Sequence, residues 1–534
     1  MQNLLYIISF FWLIRTLKVV LFWIYLWQLK EYHVGRFIDH FRTHKGKKIF
    51  FNFLLLFKII ILTLLLANLT LAVYFLLFLY VAEFLFFVTK RFKRPVWTFK
   101  TLFLTAASFF IAFLYLIWFQ KPTALLIFDI ASPFLFSAVV LVFQPFFVMK
   151  RNNILEEAKE KVKKYLSAQA GKNLTVIGIT GSYGKTSTKE FLKTILSLKF
   201  NVLATPEHKN SEIGIAQTIL KDLNENHQVF IVEMGAYNKG GINLLCDIVR
   251  PKIGIVTGVN EQHLATFGSM ENLLSAEGGR ELLNNLQKDG LIVLNGNNKY
   301  CLDLYKNMGK SYLTVTKKIF TVDHNKISSD IWTEDVEVKK ESLDFVAVAK
   351  DKEMAHFKVD VLGKQNIQNL LGAILVAKEL GMNLEEISRA CKNIKQGQAG
   401  IILKNGIHGI EIINSSHSSN PDGVMADLDY LKVFEGKKVI VMPCLIELGK
   451  KSAEIHREIG KKIAEISDMA IITTKDKFEE IKNSAVLNGM PKEKILFQDR
   501  PKEIFNMITT FCKEDDAVLL EGRVPEGLIK LLIG

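Results

Sequence analysis

A chain of 534 residues with a formal net charge of +14 and 49% hydrophobic residues is long enough for about three domains, and its basic, apolar balance points to nucleic acid or membrane. The apolar excess is packed into the first 150 residues, which selects a lipid bilayer as partner and speaks against nucleic acid. The five cysteines (Cys246, Cys301, Cys391, Cys444 and Cys512) are scattered with no C-x-x-C pair, which argues against a zinc site or disulfide framework and fits a reducing compartment.

About five apolar stretches, 4–27, 49–67, 71–88, 101–118 and 124–149, are long enough, or nearly so, to cross a bilayer. The first is too long for a cleavable signal peptide, carries Arg15 and Lys18, and is followed by more spans. Its two charges also allow an interfacial placement. Lys58, Glu83 and Asp129 lie within apolar stretches. With no motif around them, snorkelling at span ends or helix–helix pairing is the better reading than intramembrane function. Basic residues follow alternate spans: Lys30, Arg36, Arg42, Lys45, Lys47 and Lys48, then Lys90, Arg91, Lys93, Arg94 and Lys100, then Lys150 and Arg151. The positive-inside rule therefore predicts a multi-pass protein of the cell (inner) membrane with an outside N-terminus and a cytoplasmic region after residue 150. Trp23, Trp27, Trp97 and Trp118 are expected as interfacial anchors.

Residues 151–172 read as a charged linker helix. From 173 onward apolar strands alternate with amphipathic helices. Val229-Phe230-Ile231-Val232, Ile253-Gly254-Ile255-Val256 and Leu291-Ile292-Val293-Leu294 are buried-strand candidates. The predicted fold class is an α-helical transmembrane bundle followed by α/β: a parallel-sheet, P-loop-type ATP-binding domain and a smaller α/β C-terminal domain. The expected boundaries are 1–150, 151–172, 173–396 and 397–534.

The stretch Val176-Ile177-Gly178-Ile179-Thr180-Gly181-Ser182-Tyr183-Gly184-Lys185-Thr186-Ser187-Thr188-Lys189 reads as a strand, a glycine-bearing turn and a helix beginning near Lys185. Gly181 and Gly184 let the backbone turn and approach a ligand. Free helix N–H groups, the helix dipole and the Lys185 ammonium make a polyphosphate cradle, lined by Thr180, Ser182 and Ser187, with the Thr186 hydroxyl placed to hold Mg²⁺. The general P-loop pattern wants a further glycine where Ile179 stands, so the match to it is incomplete. Glu233 closes the strand before Met234-Gly235, where a carboxylate can hold Mg²⁺ opposite the turn. An ordinary strand-end carboxylate is the blander account.

These motifs recur in one order with Asn210-Ser211-Glu212-Ile213-Gly214, His263-Leu264-Ala265-Thr266-Phe267-Gly268-Ser269, Asn295 and Gly363-Lys364-Gln365-Asn366-Ile367-Gln368-Asn369. Over roughly 173–534 the chain resembles the Mur ligase family. Asn420-Pro421-Asp422, Leu445-Ile446-Glu447-Leu448-Gly449, His456 and Leu519-Leu520-Glu521-Gly522-Arg523 look like the branch that joins D-alanyl-D-alanine to a muramyl tripeptide. The resemblance implies ATP-dependent amide formation through an acyl phosphate, with ATP and Mg²⁺ as cofactors. It further implies a muramyl-peptide-type acceptor and an amino-acid or dipeptide donor. It assigns Lys185 to the phosphates, Thr186, Glu233 and His263 to the metals, and Asn295, Asn366 and Asn369 to the surroundings of the nucleotide.

The departures are as specific. Where most of the family carries a carbamylated, metal-binding lysine, this chain has Glu277, whose carboxylate is expected to stand in for the carbamate; Glu281, one turn on, is the substitute candidate. The family's Asp-Asp pair is Asn414-Ser415, its arginine after Gly400 is Ile401, and Cys444 stands where aspartate is common. Membrane spans occupy the place of the family's UDP-binding N-terminal domain. Two other readings stay open: a Mur-like ligase with a different product, such as polyglutamate, and a degenerate nucleotide-binding scaffold for membrane cell-wall enzymes. A nucleotide-driven transporter is weak, because no second nucleotide motif is visible.

Overall fold

The computed structural model describes the chain from residue 2 to 534 except 31, 33, 51, 90–92, 168–173, 208, 309–313, 324–327 and 417–419. It divides into two compact units, Met1–Asn153 and Ile154–Gly534.

Among the described residues, five helices, each beginning in the first unit, are long and apolar enough to cross a membrane: Gln2–Leu29, Gly46–Leu66, Leu71–Thr89, Phe99–Trp118 and Pro122–Leu166. Gln2–Leu29 packs against both Leu71–Thr89 and Phe99–Trp118. Within the second stretch Asn52 caps the helix Phe53–Leu66, and Thr98 caps Phe99–Trp118, each accepting an N–H of the first turn. Two of the expected interfacial tryptophans are core residues instead. Trp23 is 4% and Trp27 2% exposed. They sit four apart on one helix face, and Trp27 stacks on Phe37 at 3.8 Å between centroids and donates to Ser137 Oγ at 3.1 Å. Trp97 and Trp118 are exposed.

The charged residues of the spans converge. Arg15 pairs with both Glu83 and Asp129, and the Lys58 ammonium lies 3.2 Å from Asp129 and 3.9 Å from Glu83. Two cations and two anions from four helices thus neutralise one another inside the unit, so of the two expectations, pairing rather than snorkelling accounts for Lys58, Glu83 and Asp129. The linker helix expected over 151–172 is no separate element as far as Leu166: the fifth apolar helix runs unbroken for 45 residues, with Pro133 and Pro145 inside it. The end of that expected helix, 168–172, lies outside the described residues.

The second unit carries two sheets. The first holds β1 (Thr175–Thr180), β2 (Val202–Ala204), β3 (Val229–Glu233), β4 (Ile253–Val256), β5 (Leu291–Asn295), β6 (Thr316–Asp323), β7 (Ile331–Val338), β8 (Leu343–Ala349) and β9 (Met354–Val359). Their spatial order is β2-β3-β1-β4-β5-β6-β7-β8-β9. The strands from β2 to β7 in that order run parallel, and β8 and β9 are antiparallel additions. β1 therefore sits at a switch point, with β3 on one side and β4 on the other, and the crevice at its carboxyl end is where such sheets bind ligands.

Helices cover both faces, because these strands are apolar on both sides. On one face the helix Lys185–Leu196 buries Phe191, Leu192, Ile195 and Leu196 beside Ile374 of the helix Gln365–Glu379. On the other, Val176, Phe230 and Val232 pack with Ile215 and Ile242 and with Leu155, Ala158 and Val162 from the end of the long helix. Each such fully buried side chain contributes about 1.5–3 kcal/mol. The second sheet is β10 (Ile402–Asn405), β11 (Glu411–Ser415), β12 (Lys438–Met442), β13 (Met469–Ile472), β14 (Ile495–Phe497) and β15 (Ala517–Glu521), in the order β10-β11-β15-β12-β13-β14. Among the described residues, the edge pair β10–β11 is antiparallel and the other pairs of this sheet are parallel.

Candidate active site

The turn after β1 forms as its residues require. Gly181 has φ 139° and Gly184 φ 74°, angles that residues with a Cβ rarely adopt. A Cβ on Gly181 would also strike Thr257, and one on Gly184 would strike the Asn369 amide. The turn is pinned from β4's side by Ser182 N–H donating to Gly258 O at 2.7 Å, and by the Thr257 hydroxyl on Thr180 O at 3.1 Å and on Tyr183 O. The helix begins at Lys185 with Gly184 as its cap residue and no side-chain cap, so its first N–H groups stay open toward the turn. The Lys185 ammonium folds back onto Gly181 O.

Two acid pairs flank this turn. Glu233, at the end of β3 and 3% exposed, accepts at Oε1 from Thr186 Oγ1 and from Asn210 Nδ2, each at 3.0 Å. Glu277, 1% exposed, accepts from Ser182 Oγ at 2.7 Å and faces His263 Nδ1 at 2.8 Å. Burial pushes the Glu277 carboxyl up. The His263 imidazole, its hydrogen bond, the Lys185 charge and the Ser182 hydroxyl outweigh that and hold it below its ordinary value.

Glu281, the substitute candidate, is engaged elsewhere. Its carboxylate accepts from Gly240 N–H at 2.8 Å and Asn243 N–H at 3.0 Å, at the start of the helix Gly241–Val249. It acts as that helix's cap.

The Thr186–Glu233 hydrogen bond has a spacing that two ligands of one cation could also take. Two cis ligands of one Mg²⁺, each at about 2.1 Å in an octahedron, lie about 3 Å apart, and these two hard oxygens are 3.0 Å apart. Among the described residues no three of His, Cys, Asp and Glu gather into a metal-holding group. Glu233 therefore stands with Thr186, and His263 with Glu277, as separate pairs. A cation at either needs further oxygens from phosphate or water.

The other predicted residues are distributed more finely than the motifs implied. Asn295 donates to Thr257 O at 2.7 Å and Gln368 Oε1 at 2.8 Å, and accepts from Asn297 N–H. Asn366 donates to Leu362 O at 2.7 Å and accepts from Asn369 at 2.9 Å. Their amides are engaged within the protein behind the turn, while Asn369 Oδ1 faces Gly184. Ser187 Oγ points to Ala399 O at 3.3 Å. Thr180 is buried, and its hydroxyl has no partner among the described residues.

The second sheet's motifs reach the same crevice. Asn260 Nδ2 donates to Asn420 Oδ1 at 3.2 Å and Asp422 Oδ2 at 2.7 Å. Ala265 N–H donates to Glu447 O at 3.0 Å. The loop bearing Glu447 is anchored by His456 Nε2, which accepts from Leu445 N–H at 2.9 Å. Burial holds His456 below its ordinary value, in keeping with a neutral acceptor. Asn414 and Ser415 end β11, Ile401 is buried in the core, and His417, Ser418 and Ser419 lie outside the described residues. Sequence reasoning missed Thr257, Asn260 and Lys189. For Lys189 a signal existed: a lysine in step with the apolar stripe of Leu192 and Leu196.

With this geometry in hand, the comparisons with known proteins are consistent. Residues 179–377 match the Mur ligase middle domain and 401–524 the Mur ligase glutamate ligase domain. The UDP-N-acetylmuramoyl-tripeptide–D-alanyl-D-alanine ligase of Bacillus subtilis is 27% identical over 363 residues, 67% of this chain and 76% of that protein. Its counterpart from Buchnera aphidicola is 30% identical over 297 residues, 54% of this chain and 61% of that protein. The crystal structure of MurF ligase from Thermotoga maritima in complex with ADP superposes with a TM-score of 0.59 at 25% identity, covering 71% of this chain and 83% of that one.

Proposed function

The chain belongs to the Mur ligase family, whose members are ATP-dependent ligases, and from that premise we propose that it is a membrane-anchored enzyme joining a muramyl-peptide carboxylate to the amine of an amino acid or dipeptide in peptidoglycan precursor synthesis. In this reading residues 173–396 bind ATP and 397–534 complete the crevice, both on the cytoplasmic side of a multi-pass membrane region. The acceptor carboxylate is activated as an acyl phosphate, and the amine displaces phosphate to leave the amide. The observation that carries the reading is the Lys185 turn flanked by the Thr186–Glu233 and His263–Glu277 pairs.

Each part has a physical task. The open N–H groups at the start of the helix Lys185–Leu196 and the Lys185 ammonium hold the polyphosphate and stabilise charge that develops on it. Thr186 with Glu233, and His263 with Glu277, would hold Mg²⁺, which when bound supplies charge neutralisation at the phosphate oxygens. Glu277 brings its carboxylate to the turn without carbamylation. The bonds of Asn260 to Asn420 and Asp422 tie residues 397–534 to the edge of the crevice.

The test is phosphate release from ATP and Mg²⁺ with a panel of muramyl peptides and amino-acid or dipeptide donors, using wild type and Lys185→Ala. A lysine that faces ligand rather than core is dispensable for folding. Lys185→Ala should therefore melt like wild type and lose roughly 100-fold or more in turnover. Near-wild-type turnover in that variant, or no release with any panel member, overturns the reading.

A further inference from the structure

One helical turn beyond Lys185, on the inner side of the same helix, lies a second lysine. Lys189 has 0% of its side chain exposed. Its ammonium is 3.4 Å from Glu233 Oε2 and 3.1 Å from Glu190 Oε1, and among the described residues it makes no well-formed hydrogen bond. Its neighbours in sequence, Phe191 and Leu192, are core residues. A buried ammonium costs several kcal/mol unless an anion compensates it, and an apolar side chain of the same length would fit this stripe without that cost. Glu190, its other partner, is 23% exposed and has water as an alternative. Glu233 has none: its side chain is 4% exposed, with Oε1 taken by Thr186 and Asn210 and Oε2 facing Lys189.

Resting on the metal-assisted reading above, we propose that Lys189 is a positioning residue that acts as a built-in counter-ion for Glu233, keeping the Thr186–Glu233 site free of divalent cation until a nucleotide brings one. The physics is a balance of charges. A buried carboxylate without a partner attracts any cation. With an ammonium on its far oxygen, most of that attraction is cancelled, and a divalent ion gains enough only when phosphate oxygens complete its shell. Lys189 also holds Oε2 in place, so that Oε1 stays beside Thr186 whether or not the metal is there. Glu233 is thus pre-oriented and at the same time weakened as a lone metal ligand.

The experiment needs no turnover. Mn²⁺ binding to the full-length protein, without nucleotide, is followed by electron paramagnetic resonance, and thermal stability is measured with and without Mg²⁺. Wild type should bind Mn²⁺ weakly and melt at the same temperature with Mg²⁺ alone. Lys189→Met should bind Mn²⁺ at least about tenfold more tightly, since a unit charge a few ångströms away is worth more than that at an effective dielectric constant of about 20, and Mg²⁺ alone should raise its melting temperature. Adding Glu233→Gln to Lys189→Met should abolish both gains, and Glu190→Gln should produce neither. Should Lys189→Met fail to fold, Lys189→Gln carries the same expectation. Equal Mn²⁺ affinity in wild type and variant overturns the proposal, as does a gain that survives Glu233→Gln. If neither variant folds, the lysine serves the fold alone and the proposal falls. An enzyme that binds metal in this way yet releases no phosphate with any substrate would instead remove the function proposed above.

Discussion

Glu277 is the buried carboxylate that meets the phosphate turn from the side of His263. Its position at the C-terminal end of the helix Met270–Ala276 sends its carboxylate to Ser182 in the phosphate turn and to His263. A carboxylate built into the chain needs no carbon dioxide. Turnover should therefore be the same in bicarbonate-free and bicarbonate-supplemented buffer. Glu277→Gln keeps the shape but offers a hard cation a poor ligand, so it should lower Mg²⁺-dependent turnover about 100-fold and raise the Mg²⁺ needed for half-maximal rate. An unchanged Mg²⁺ requirement in Glu277→Gln would take the residue out of the site. The neighbouring Glu281 makes a useful contrast. Its work as a helix cap means that Glu281→Gln should act on stability, by about 1 kcal/mol.

At the scale of elements, the register of two parallel strands helps bring two buried carboxyl groups together. β11 and β15 place Ser415 opposite Glu521, and the helix Pro421–Leu431 brings Asp427 between them, where it accepts from Ser415 Oγ and from Gln365 Nε2 at 2.8 Å. Burial, then the neighbouring Asp427 carboxylate, push Glu521 well above its ordinary value. An acid whose folded pKa is raised binds more protons folded than unfolded. Its stabilising contribution is complete below the unfolded value near 4.3 and is lost as pH rises toward the folded one, by up to about 1.4 kcal/mol per pH unit. Glu521→Gln removes that loss. Melting curves at pH 5 and pH 8 should show wild type falling further than the variant, and parallel profiles would contradict the pairing. Much at this scale was legible beforehand. Strand, turn and helix around Gly181–Lys185 follow from an apolar run, two glycines and a lysine in order, and β3, β4 and β5 from short apolar runs. What periodicity does not carry is which strand ends meet. That Asn260 would reach Asn420 and Asp422 depends on residues 160 and 162 positions apart, and no local pattern encodes such a distance.

For the whole molecule, hydropathy alone separates an apolar helical unit from an α/β unit, because a bilayer and a parallel sheet make different demands on the length of an apolar run. Orientation has a direct check. The native cysteines are all buried, so a cysteine introduced at position 45 should stay unlabelled by a membrane-impermeant reagent in intact cells, and efficient labelling would reverse the topology. That charges within the spans would pair across helices was one of two expectations, but which of them meet was not legible, since Arg15 and Glu83 come together from 68 residues apart. The closure of this charge network makes a sharp prediction. Asp129 faces both Arg15 and Lys58, so Asp129→Asn leaves two cations sharing one anion, Glu83. Breaking a buried pair from one side costs about 3–5 kcal/mol, whereas removing both partners is often neutral. In detergent, the full-length Asp129→Asn protein should unfold at a clearly lower temperature than wild type. Adding Lys58→Met restores the balance, with Arg15 left to Glu83, and should recover most of that loss even though it deletes a second polar side chain. A double variant less stable than the single would mean that these charges act one by one rather than as a network.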